Sequence, residues 1–307
     1  MIANFFSKSK PVHVFNLVIL LFLYYIVASV ISFPEEFVWL YFIKKAAFFL
    51  CFIIFLVVTN FIIKKNNLTL DNLYGLLIIV LLFGTFKETM FNNKIVFSNL
   101  LLLFSYRKIY SIKSGLNISK KLFDAAFWVG VATIIYPHSI LYVFLIFIAI
   151  IIYQKIYFKN FIIPIIGLII PLFLFFTYNF YYDKMDAFYS IFKLNLGLDF
   201  TVYNQMQFLI PITLLITITM WSLVVVSPKI VLVSNNLRMS WNILINQLIV
   251  ASVVVFIAPL KDGSELFFLL FPCAIITANF LQKSQSSNFK NLILYLFFAI
   301  SISVYFL

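Results

Sequence analysis

The chain alternates between long apolar runs and short polar interruptions. Eleven such runs can be marked, at 14–33, 46–63, 72–86, 95–106, 122–136, 139–153, 160–180, 207–226, 243–258, 266–281 and 292–307. A helix that crosses a bilayer needs about 20 mostly apolar residues, so each run predicts a transmembrane helix, the shorter ones tilted or only partly inserted. Lys8 and Lys10 before the first run resemble the start of a signal peptide. No small-residue cleavage site follows, so the run is read as a retained anchor. The predicted fold is all-α: one polytopic transmembrane bundle over 1–307, with no linker, soluble domain or repeat. Its seven glycines are scattered, and no GxxxG helix-packing motif occurs.

Composition agrees. Of 307 residues, 64% are hydrophobic and 10% are charged, against about 25% charged in a soluble domain. The net charge of +12 would suit a nucleic-acid binder. However, the lysines are spread between apolar runs, so membrane topology explains them and no nucleic-acid partner is expected. Cys51 and Cys273 lie within apolar runs, which supplies neither a disulfide framework nor a metal spacing. The abundance of Phe, Ile, Lys, Asn and Tyr suits an AT-rich genome, so aromatic content is not itself a functional signal.

The charges orient the bundle. With the N-terminus inside, 15 of the 22 basic residues fall on the inner side and 7 on the outer side. That bias predicts an N-in, C-out topology. The acids divide the other way. Asp71 and Asp124 fall inside, while Glu35, Glu36, Glu88, Asp183, Asp186, Asp199, Asp262 and Glu265 fall outside. The outer face is therefore where chemistry or recognition is expected.

Several chemistries are excluded. Two histidines, His13 and His138, cannot supply a His-rich di-iron centre. No glycine-rich phosphate loop and no GxSxG elbow is present. No ionisable residue occupies the middle of a run, which argues against a proton-coupled pump. Pro164, Pro171, Pro211 and Pro272 are positions where a helix can kink or break.

What remains is modest. Glu35 and Glu36 form an adjacent carboxylate pair able to hold a divalent cation or supply a general base, or simply to end a helix. In the 26-residue connection 181–206, Met185, Phe188, Phe192 and Leu196 recur at near-helical spacing. They predict an amphipathic helix on the outer leaflet, placing Asp183, Lys184, Asp186 and Lys193 over a substrate or acting as a plain connector. His138, beside Pro137, and Asp262, in the turn 261–265, belong to the same face. The stretch 107–121 reads as a basic loop suited to topogenic charge or to anionic head groups.

Two stretches carry a resemblance: 122–183, which contains FDAAFWVGVATIIYPHS, and 265–282, ELFFLLFPCAIITANFLQ. Their rhythm resembles the membrane core of GT-C-type polyprenyl-phosphate-dependent glycosyltransferases and a flavobacterial family of inner-membrane proteins. The GT-C resemblance implies acids in the first outer loop, where Glu35 and Glu36 stand, with Asp183 joining them in catalysis. Asp186, Lys184, Lys193, His138 and Asp262 would then meet the lipid-linked substrate, and a divalent cation would accompany the acids. The expectation is a multi-pass bacterial inner-membrane protein of envelope biogenesis handling lipid-linked sugars at its outer face. The alternatives are a non-enzymatic subunit of an envelope assembly or secretion complex and a transporter or lipid flippase.

Overall fold

The computed structural model describes residues 2–31, 39–231 and 235–307. Glu35 and Glu36 lie outside the described residues. The helices are α1 (Ile2–Phe6), α2 (Pro11–Ile31), α3 (Trp39–Asn66), α4 (Tyr74–Thr85), α5 (Asn93–Ser111), α6 (Ile118–Ile135), α7 (Tyr142–Ile152), α8 (Phe158–Tyr181), α9 (Met185–Phe192), α10 (Met206–Val231), α11 (Asn235–Ile257), α12 (Phe267–Lys283) and α13 (Ser287–Ser303). Each of the eleven apolar runs carries a helix. Among the described residues, seven helices are long and apolar enough to cross a membrane. The protein is an all-α membrane bundle.

The bundle is built around two helices. All twelve residues of α4 are buried. At 1.5 Å per residue α4 is about 18 Å long, well short of a hydrocarbon core of about 30 Å. It tolerates that shortness because its surface meets protein rather than lipid. It packs on α12, α13 and α2. α12 is buried along nearly its whole length and also contacts α10 and α11. A second group stacks α5, α6 and α8 side by side. By contrast α8 and α10 leave most of their apolar side chains exposed or only partly buried, with Phe173, Leu174, Trp221 and Val224 among the exposed. Such exposure suits contact with lipid tails, since a membrane-facing surface is not driven inward.

Close helix contact uses glycines that sequence spacing hides. Gly130 of α6 faces Pro171 and the Leu168 carbonyl of α8, and a Cβ there would come within 2.9 Å of that oxygen. Gly167 of α8 answers it, with the Phe123 carbonyl 2.7 Å from its would-be Cβ. Both belong to one helix pair although they stand far apart in sequence, so no GxxxG is needed to bring the backbones together.

Two expectations are corrected. The stretch 107–121 is not a loop: its first residues finish α5, a 3-10 turn occupies Ile112–Ser114, and α6 begins at Ile118. The amphipathic helix of the long connection stops at Phe192, so Leu196 lies in irregular chain. Phe188 does pack, against Phe176 at 5.2 Å. Of the two outcomes open at Pro164, Pro171, Pro211 and Pro272, a kink or a break, no break occurs: α8, α10 and α12 run unbroken through them. Neighbouring helices accommodate the lost hydrogen bonds without a discontinuity.

Candidate functional site

The side on which α4 ends and α5 and α12 begin holds a compact set of polar groups. A 3-10 turn, Lys87–Met90, follows α4, and a second, Ser264–Leu266, leads into α12; the two turns pack together. This is the side assigned above to the outer face. Gly263 makes the approach: it adopts φ +89°, and a Cβ on it would come 2.5 Å from the Phe208 ring and 3.4 Å from the Glu88 Cβ. Only glycine meets both the left-handed backbone and the space.

A hydrogen-bonded chain ties the two turns together. Asn92 accepts from the Ile95 amide and so caps α5 (3.3 Å), while its Nδ2 donates to Ser264 Oγ at 3.2 Å. Ser264 Oγ donates to Asp262 Oδ1 at 2.5 Å, and the Ser264 amide donates to the same oxygen at 3.0 Å. Asp262 is exposed and fully engaged in shaping the turn.

Glu265 differs. Its side chain has no exposed surface, and neither carboxylate oxygen has a hydrogen-bond partner. The amides of Asp262, Gly263 and Glu265 face the carboxylate without closing a hydrogen bond onto it. Glu88 is near enough to repel it, and Tyr136 lies in the field of both Glu265 and Asp262. A buried carboxylate without a closed hydrogen bond is costly, which makes Glu265 the candidate around which this site is built. The N-termini of α5 and α12 open on this spot, and the positive ends of their helix dipoles favour negative charge there.

The long connection after α8 covers this region. His138 Nε2 lies 3.2 Å from the Asn195 carbonyl, and His138 Nδ1 is buried without a partner. Gly197 sits against the carbonyls of Ala258 and Pro259, where a Cβ would come within 2.5 Å of both. Phe200 stacks on Phe256 and over Lys261. Lys261 is itself buried, donating to the Val255 and Phe256 carbonyls at 2.5 and 2.8 Å, so it closes the C-terminus of α11. Burial pushes its ammonium below the usual lysine range.

No family profile matches the chain, and neither a curated protein nor a solved structure matches it. Function must come from the geometry alone. Of the residues singled out above, His138 and Asp262 belong to the site. Asp183, Lys184, Asp186 and Lys193 are exposed at the end of α8 and along α9. Asp183 there takes φ +53°, with its amide reaching back to the Phe180 carbonyl. Glu35 and Glu36 lie outside the described residues. Among the described residues, no three His, Cys, Asp or Glu side chains converge closely enough to hold a metal ion. Glu88 is a residue that sequence reasoning did not select, and Glu265 lies in the turn 261–265 noted above, from which only Asp262 was singled out. Each carries one available signal, a carboxylate placed directly against an apolar run.

Burial raises the Glu88 carboxyl above the usual carboxylate range, and the Asp262 charge adds to this; its own amide and Lys87 oppose it. Between the ordinary carboxylate value of about 4.5 and the raised one, the folded chain holds a proton that the unfolded chain has lost. Stability therefore falls as pH rises through that window. In melts of the detergent-solubilised protein, Glu88→Gln is expected to flatten this acid-side dependence. It should also melt higher than the parent above the window. An unchanged pH profile would place the titration elsewhere.

Proposed function

We propose that this chain is a multi-pass protein of a bacterial inner membrane that works in envelope assembly and receives a lipid-linked substrate at the acidic end of its bundle. The observation that supports this reading is Glu265, enclosed, with no hydrogen bond closed on either carboxylate oxygen and flanked by Glu88. A carboxylate in that setting is disposed to accept the proton of a hydroxyl, which reaches it only when the packing over the turn 261–265 opens. In a GT-C-like transfer, Glu265 would take the acceptor's O–H proton as the acceptor oxygen bonds to the anomeric carbon. The bond from that carbon to the polyprenyl phosphate breaks, and the phosphate leaves with the electron pair. Lys87 is the cation beside Glu88, lying 5.6 Å from the Tyr305 ring centre, and is suited to the departing negative charge. The segment 193–205 would exclude water from the exchange.

The test uses the full chain purified in mild detergent, with mass spectrometry of bound lipids and proteins. Under this proposal a polyprenyl-phosphate-linked glycan accompanies the parent and is turned over in its presence. Glu265→Gln should slow turnover by about 10²-fold or more, the range expected for loss of a general base. A stoichiometric protein partner with no such lipid would replace this reading with that of a non-enzymatic assembly subunit.

A further inference from the structure

At the opposite end of the bundle the chain builds a basic cleft. Its volume is about 390 Å³, and Lys65, Arg107, Lys108, Lys113 and Lys121 line it. These five cations come from the end of α3, the end of α5, the 3-10 turn after it and the start of α6. Several are held in place. Lys113 donates to the Asn66 carbonyl at 2.5 Å, and Lys121 donates to the Ser111 carbonyl and to Ser114 Oγ, both at 2.6 Å. Arg107 and Lys65 share the Phe61 ring, at 4.9 and 5.1 Å from its centre. A single ion pair, Lys108 to Asp124 at 2.6 Å, offsets one charge. The remaining charges repel: Lys65 and Lys108 both act on Lys121. Topogenic charge needs only to be on the inner side, and it gains nothing from being gathered round one cavity.

The cleft does not end at its charges. Arg107 and Lys108 also line a second hollow of about 480 Å³, whose other walls are Phe104, Phe123, Phe127, Trp128 and Asp124. Phe104 and Phe127 pack on Trp128 at 5.0 and 5.8 Å. A polar, strongly cationic chamber thus leads into an aromatic one across two shared side chains.

We infer that this paired cleft binds an anionic lipid of the inner leaflet, its phosphate among Lys65, Arg107 and Lys121 and its hydrocarbon chain against Phe123, Phe127 and Trp128. Charge complementarity selects a phosphate, and the aromatic continuation selects one that carries a tail. Arg107 supplies the planar fork suited to phosphate oxygens. Lys108 stays paired with Asp124 and marks the border between head group and tail. This site is independent of the acidic one, since it lies at the other end of the helices and shares no residue with it.

The experiment is titration of the full-length protein in neutral detergent with dioleoylphosphatidylglycerol and, separately, with dioleoylphosphatidylcholine, read by native mass spectrometry. Glycerol phosphate serves as the tail-less competitor. The parent is expected to prefer the anionic lipid, with glycerol phosphate a poor competitor. The double variant Lys65→Gln, Arg107→Gln should lower anionic-lipid affinity about tenfold or more and leave the weak zwitterionic binding unchanged. Both side chains are exposed, so the fold should survive, as an unshifted melt would verify. Trp128→Leu should weaken both lipids together. Equal affinity for the two lipids, or an unaffected double variant, would overturn the assignment. Full displacement by glycerol phosphate would reassign the cleft to a soluble phosphate.

Discussion

Glu265→Gln is expected to leave the purified protein at least as stable as the parent while removing whatever the acidic end does. Glu265→Met should go further and raise the melting temperature. Both carboxylate oxygens are buried without a partner, and an unmet buried polar group costs about 1–3 kcal/mol, more when it is charged. Replacing it with a group of similar volume that carries no charge relieves that cost. A residue that weakens the fold and is nonetheless present is the pattern of a working site, where stability and activity pull in opposite directions. Thermal melts in detergent, run beside the turnover assay, separate the two. If Glu265→Gln instead lowered stability by more than about 2 kcal/mol, the carboxylate would be engaged in the structure. Its role would then be that of Asp262, which holds a turn.

The second large effect concerns the α6–α8 contact. Gly130→Val and Gly167→Val are each expected to destabilise the protein by about 3 kcal/mol, the upper part of the range for overpacking a tight site. The atoms that a new side chain would strike are carbonyl oxygens and a proline ring. Neither can rotate aside. The helices must separate, and separation also opens the aromatic hollow between Phe104, Phe123 and Trp128. A useful comparison is Gly115, whose would-be Cβ meets nothing within 4 Å. It has φ +72°, so Gly115→Ala suffers backbone strain alone. Its cost should stay near 1 kcal/mol. If all three variants melted alike, crowding at the helix crossing would not be the cause.

Hydropathy carries the helices in the sequence, and it fails wherever helix and apolar run are different things. The run at 95–106 underestimates α5, because Arg107 and Lys108 continue the helix past the apolar core toward the membrane surface. The stretch that follows looks like a loop only because it is charged. Helix propensity of Lys and Arg is high, and here it prevails. The region 72–86 looks too short to cross a bilayer, and nothing local says that α4 is wrapped in protein. That information resides in α12, some two hundred residues away.

The acidic site was half legible. The turn 261–265 and His138 draw attention as polar islands between apolar runs. What distinguishes Glu265 from Asp262, three positions earlier, is invisible in sequence: one is enclosed and the other exposed. Their difference goes with Gly263, which turns the backbone between them at φ +89°. Asp183 and Asp186 attracted notice by composition. They sit at the solvent edge of α9, where an acid costs nothing and therefore says little.

The central placement of α4 has a consequence for synthesis. Before α12 and α13 arrive it has α2 as its main partner, and Asn279 must reach back to the Leu68 carbonyl to close that end. The core is thus completed only when nearly the whole chain has left the ribosome. During that interval a twelve-residue helix too short for the bilayer is covered by α2 and, at fewer points, by α1 and α3. A chain that stops before α12 would leave uncovered the faces of α4 that α12 and α13 bury, an apolar surface too short to sit comfortably in lipid.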